Sequence, residues 1–375
     1  MDPTFPLASI ANFLACVLVL LPLFSTSIRS GSWNVAVIST SLWIAVLCAI
    51  AGVNAILWSD NVRNVAPVWC DITTHLEGGA RIALRACTFV MTRSLYHISR
   101  GVKDALSKRS NARMISDLAW TLGLPVLTMF FYYVVQEHRF QIIEEQGCVS
   151  SVYGSGLSIL LLEMPSLILP AISALFYCPH IVWLTYKRRK DIKKYLTEGS
   201  GTSTGIYFRV MALGCVEAVF TLPFSIFTFI SDIQPLPDTF YPGWRIVHAN
   251  FSTIPTIPAS EWKESLWPTI DVKCNLWINP VVACAFFALF GLTKEVRAAY
   301  YNYFCSVRRM VGLKESPPPD MSCSVCSEMR FGIVSVRGVS LNNPTDVHVC
   351  LRTDSRSSQS EIESIKTHSM SPNMS

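Results

Sequence analysis

At 375 residues the chain has the length of two or three soluble domains, but 51% of it is hydrophobic and only 15% is charged. That balance excludes an ordinary soluble protein and points to one built into a membrane. The formal net charge is a modest +5, and no nucleic-acid partner is expected.

Apolar windows of about 20 residues, the length that crosses the hydrocarbon layer as a helix, recur along the chain. They fall near Leu7–Ser27, Val35–Leu57, Ile72–Ile98, Ile115–Val135, Leu157–Tyr186, Ile206–Ile230 and Val272–Leu292. The reading is an all-α membrane protein, a seven-span helix bundle over residues 1–293. An interfacial helix at 294–315 and a polar, disordered cytoplasmic tail at 316–375 follow it. The first window has no basic residue ahead of it and no small-residue cleavage site, so it reads as a retained span. Lys and Arg crowd one set of connections, with Arg100 to Arg113, Lys187 to Lys194 and Lys294 to Lys314, while the other set holds Arg63, Arg139, Arg245 and Lys263. The positive-inside rule then places the N-terminus outside and the tail in the cytoplasm.

The short turn after Ser27 makes the first two spans antiparallel neighbours. The third span is the unusual one. Glu77, Arg81 and Arg85 stand at i, i+4 and i+8 and share one helix face. Ionisable groups at bilayer depth are costly unless they meet partners or water. Two readings stay open: an internal ion pair with the spare Arg snorkelling, or a face lining a ligand cavity, with Glu163 in the fifth span and Glu217 in the sixth as counter-charges.

Thirteen cysteines are too scattered for a disulfide framework, and most fall inside spans. Cys70 and Cys148 both sit at outer positions, where they are a bridge or two buried free thiols. Prolines mark the fourth span (Pro125), the fifth (Pro165, Pro170, Pro179) and the sixth (Pro223). Each removes a helical hydrogen bond, and Pro223 is a candidate switch hinge. The basic stretch holding Arg188, Arg189, Lys190 and Lys193 is a topology signal and a candidate docking surface for a cytosolic protein. The long Pro- and Trp-rich segment from Ser231 to Pro268 has the character of a lid or binding element. Asn250 opens a glycosylation sequon on the expected outer side. Cys305, at the end of the interfacial helix, is a palmitoylation candidate. Cys323, Cys326, His348 and Cys350 lack a packed scaffold, so no metal site is expected, and no cofactor.

Ordered motifs along the chain resemble one family. They are Val68 to Ile72 entering the third span, Arg93 to Ile98 leaving it and Glu144 to Cys148 in the second outer loop. Tyr207 to Leu213, Trp244 with Val247 and His248, Asn250 to Ser252 and Phe286 to Gly291 follow. Together they are similar to the fungal pheromone receptors of the a-factor, lipopeptide type, above all those of basidiomycetes. The resemblance implies a G-protein-coupled receptor in the plasma membrane that binds a farnesylated peptide pheromone and activates a heterotrimeric G protein in mating. It adds Trp244 and His248 to Glu77, Arg81, Arg85, Glu163 and Glu217 as candidate ligand contacts. Arg81 and Arg85 depart from the small or apolar residues that the family pattern implies there. Two other classes remain as alternatives: a transporter, for which no internal repeat is found, and a membrane enzyme, for which no hydrolytic or nucleotide motif is found.

Overall fold

The structure is a computed structural model, and it describes residues 5–29, 35–99, 111–187, 222–232, 239–292, 296–297 and 300–301. A second unit, Ser316–Ser375, lies wholly outside the described residues. Helices dominate: α1 (Leu7–Arg29), α2 (Val35–Leu57), α3 (Pro67–Ser99), α4 (Asn111–Val135) and α5 (Gly156–Trp183, running on to Lys187). After these come α6 (Leu222–Asp232), the short α7 (Trp244–Val247) and α8 (Ala259–Trp262), and α9 (Leu266–Phe290). Helical backbone returns at 296–297 and 300–301 within the expected interfacial helix.

Among the described residues, α2, α4, α5 and α9 are long and apolar enough to cross a membrane. The charges on α3 keep it out of that set, although its 33 residues are the longest helical run described. Large apolar side chains on α4 and α5 are mostly exposed: Phe130 is 69% exposed, Leu175 66% and Phe176 64%. In water such a surface would aggregate, and it suits lipid. The first half of the sixth expected span, with Glu217, lies outside the described residues.

Helix α3 is the centre of packing. Its Ala86, Phe89, Val90, Met91 and Leu95 join one buried cluster with Ala15 and Val19 of α1, Ile44 and Cys48 of α2, Leu169 and Ile181 of α5, and Ala283, Phe286 and Phe290 of α9. Lipid is as apolar as these side chains, so close van der Waals fit and small residues must hold the helices together. Gly79 shows how close the fit is: a Cβ there would stand 2.1 Å from Met129 Cε on α4.

Prolines explain the irregular helices. Wide π turns occupy Ala119–Gly123, Ile159–Glu163 and Ser173–Tyr177, and each ends two residues before a proline, Pro125, Pro165 and Pro179. Proline lacks the N–H that would close the ordinary ring, so the ladder widens by one residue ahead of it. Two of the freed carbonyls find donors on neighbouring helices. The Thr121 carbonyl, four residues before Pro125, accepts from Trp43 Nε1 of α2 at 3.1 Å. The Leu276 carbonyl, four residues before Pro280, accepts from Asn12 Nδ2 of α1 at 3.3 Å. Neighbouring helices thus satisfy backbone that lipid could not.

Two helices begin earlier than hydropathy suggests, α3 at Pro67 instead of Ile72 and α9 at Leu266 instead of Val272. The added turns carry charges that a hydropathy window rejects. In the first of them Asp71 pairs with Arg139, and Lys273, just inside the expected start of α9, pairs with Glu145. At the opposite end of α3, Arg93 Nη2 donates to Asp117 Oδ1 of α4 at 2.5 Å.

Candidate ligand-binding site

The site is built at the end of the molecule where α3 begins. Strand β1 (Gln141–Ile143) turns through Glu144, Glu145 and Gln146 into β2 (Gly147–Val149), and the two pair antiparallel. A third strand, β3 (Thr256–Ile257), lies parallel to β1. The segment expected as a long lid therefore contributes an edge strand and short helices. The turn needs left-handed backbone at Glu145 (φ 73°) and Gly147 (φ 88°). Gly147 tolerates no side chain, because a Cβ would lie 2.7 Å from Asn54 Cβ and 3.0 Å from Trp58 Cε3.

Four attachments hold this hairpin down. Cys70 in the first turn of α3 is bonded to Cys148 on β2, with Cα atoms 5.3 Å apart. Asp71 receives Arg139 in a two-pronged pair, Nε to Oδ1 at 3.2 Å and Nη2 to Oδ2. The hydrogen bonds it donates to the Asp71 carboxylate hold the Arg139 guanidinium even more firmly protonated than usual. Glu145, only 5% exposed, accepts Lys263 Nζ and Lys273 Nζ, each at 2.7 Å, and its backbone N–H donates to the Trp58 carbonyl at 2.8 Å. Glu144 Oε2 accepts from the first backbone N–H of α8, Ala259, at 2.7 Å, an acceptor placed at a helix N-terminus. Trp58, Cys70, Phe140, Ile142 and Cys148 form an apolar cluster beneath.

Under the hairpin lies a cavity of about 190 Å³ between α2, α3 and α9. Its floor is the charged column of α3, Glu77, Arg81 and Arg85. Asn54 of α2 and Asn275 and Asn279 of α9 line its walls, with Gln146 and Cys148 of the hairpin above. Neither Glu77 nor Arg81 has a hydrogen bond or an ion pair within 4.0 Å among the described residues. The Gln146 Oε1 is buried without a hydrogen-bond partner there. A charged column, amides and an open acceptor at one cavity make a site suited to a polar ligand group.

The structure thus brings together Glu77, Arg81 and Arg85, three of the residues singled out from sequence. It leaves others apart. Glu163 ends the first π turn of α5 and does not line this cavity. Trp244 and His248 stack on each other at 3.8 Å beside Tyr133 and Phe251, and they too lie away from it. Asn250 is exposed, and Pro223 is the second residue of α6. Glu217, Arg188, Arg189, Lys190, Lys193 and Cys305 lie outside the described residues. Sequence reasoning passed over Gln146, Asn275 and Asn279. The two asparagines, four residues apart in an otherwise apolar span, were the available signal.

A profile of the pheromone A receptor family, STE3, matches residues 7–310. The chain belongs to this family. Relatives include the "Pheromone B alpha 2 receptor" of Schizophyllum commune, 31% identical over 318 residues, which cover 85% of this chain and 49% of that one. "Pheromone receptor 1" of Ustilago hordei is 29% identical over 305 residues, 79% of this chain and 83% of that one. The "Pheromone a factor receptor" of Saccharomyces cerevisiae is 24% identical over 291 residues, covering 75% and 58%. The chain spans about half the length of the Schizophyllum receptors it matches. The family is one of membrane receptors and not of enzymes.

Proposed function

We propose that this chain is a seven-span, plasma-membrane receptor for a farnesylated peptide pheromone and that it activates a heterotrimeric G protein. The observation that carries the reading is the family match over residues 7–310. A cavity that holds a charged column beneath a disulfide-anchored hairpin supports it. In this reading the N-terminus and hairpin face outside and the basic loops face the cytoplasm. Glu77, Arg81 and Arg85 meet the peptide, with Glu163, Glu217, Trp244 and His248 as more distant candidates. The ligand's lipid adds roughly 0.8 kcal/mol per buried methylene, which concentrates the peptide at the membrane before it docks. Arg188, Arg189, Lys190 and Lys193 receive the G protein, and Pro223 is the hinge of the switch. Asn250 carries glycan and Cys305 a palmitoyl chain. Ligand shifts the receptor only through its preference for the active state.

The test is G-protein activation in a heterologous fungal cell that expresses the chain, challenged with synthetic peptides made with and without a farnesyl group. Response to a farnesylated peptide and not to its unlipidated twin is the expected result. Silence across a broad panel, with the chain verified at the cell surface, would refute the proposal.

A further inference from the structure

The cavity's volume and charge say what part of a ligand it takes. About 190 Å³ is below the roughly 300–1,000 Å³ of sites that engulf a drug-sized molecule. A whole lipopeptide does not fit, whereas one side chain with its adjoining backbone does. The charged column on the floor holds one carboxylate and two guanidinium groups, those of Glu77, Arg81 and Arg85. Arg81 is exposed to the open space, and no hydrogen bond or carboxylate reaches it within 4.0 Å among the described residues. A guanidinium carries five donors in a planar fork matched to carboxylate geometry. Left open in a low-dielectric setting, it favours an anion strongly. The buried Gln146 Oε1, which also lines the cavity, lacks a donor among the described residues. A peptide N–H supplies one, and a carboxylate does not.

We infer that this cavity receives an acidic side chain of the peptide ligand, with its carboxylate on Arg81 and a neighbouring peptide N–H donating to Gln146. The inference rests on the receptor reading and adds to it the chemical class of the recognised residue. Arg81 is then a specificity-determining contact, distinct from whatever surface holds the lipid. Glu77, one helical turn away, keeps the column from drawing a second anion and disfavours a doubly charged group.

The experiment uses the full chain at the surface of fungal cells and a G-protein reporter. Its probes are farnesylated peptides, each acidic residue replaced in turn by its amide. Removing one partner of a desolvated charge pair has a large effect, so one Glu→Gln or Asp→Asn replacement in an active peptide should raise the half-maximal concentration at least about 30-fold. Arg81→Gln should abolish the distinction between acid and amide at that position, while Arg81→Lys retains much of it. Because the peptide-side replacement leaves the receptor intact, folding of a receptor variant does not enter the first comparison. Active peptides that keep full potency through every amide replacement would overturn the inference and leave the receptor reading standing. So would an acid preference that Arg81→Gln leaves unchanged. Silence of every peptide would overturn the receptor reading itself, and this inference with it.

Discussion

Glu145 offers the sharpest test of how the hairpin is held. Its carboxylate is 5% exposed and is shared by Lys263 and Lys273, whose side chains are 46% and 32% exposed. Ion pairs wholly in water contribute about 0.2–1 kcal/mol, and hydrogen bonds to buried charges about 1.5–3 kcal/mol. With one buried and one half-exposed partner, each pair here falls between these, at about 1 kcal/mol. Glu145→Gln keeps the shape and the backbone bond to Trp58 but loses the charge, and should cost about 2 kcal/mol. That corresponds to roughly 3 °C in the melting temperature of a domain of about 290 residues.

The lysine variants should not add. Lys263→Gln or Lys273→Gln alone leaves the carboxylate one partner and should cost about 1 kcal/mol. The double variant strands a buried charge, for which removing its partners costs about 3–5 kcal/mol. The measurement is thermal unfolding of the purified chain in lipid nanodiscs, with hydrogen exchange read at the amides of residues 141–149. Additive lysine variants, or a Glu145→Gln protein that melts and exchanges like the parent, would refute the assignment of Glu145 as the latch.

Three further outcomes are expected. Trp43→Phe strands the carbonyl freed by Pro125 and should cost about 1–2 kcal/mol, but much less in a Pro125→Ala background, where the restored N–H takes its place; a double-mutant cycle by thermal melting measures this coupling. Gly147→Ala meets both a left-handed φ and a contact at 2.7 Å, and should cost about 2–4 kcal/mol, read as lost cell-surface protein and faster exchange in the hairpin. Replacing Cys70 and Cys148 together by Ser removes a link across 78 residues, nominally about 4.5 kcal/mol by loop closure. The cost should be smaller here, because inserted helices already confine both ends; reductant should lower the melting temperature of the parent and leave the variant's unchanged.

Much of the fold was legible because the bilayer imposes a long apolar period that few other structures share. The charged face of α3 was legible for a related reason: Glu77, Arg81 and Arg85 repeat every four residues, and a helix has no choice but to align them. Their common cavity follows from that alignment and from the neighbours that the fold supplies. The neighbours themselves were not readable. Nothing in local spacing tells Glu163 from Asn279 as a residue that shares a cavity with Arg81, since helix adjacency is settled by side-chain fit across distant segments. The same limit hid Glu145, whose partners Lys263 and Lys273 lie more than a hundred residues along the chain.

Proline shows where the limit falls. Its position announces a freed carbonyl four residues earlier, and hence a demand that lipid cannot meet. Sequence therefore states that a donor must approach Thr121 and Leu276, without saying which helix brings it. Trp43 and Asn12 answer those demands from α2 and α1, and each is a polar group in a span that had no other evident use for one. Pairing freed carbonyls with otherwise unexplained donors thus turns two local signals into a long-range contact. The rule is general, because both halves are costly when left alone in hydrocarbon and the fold removes both costs with one bond.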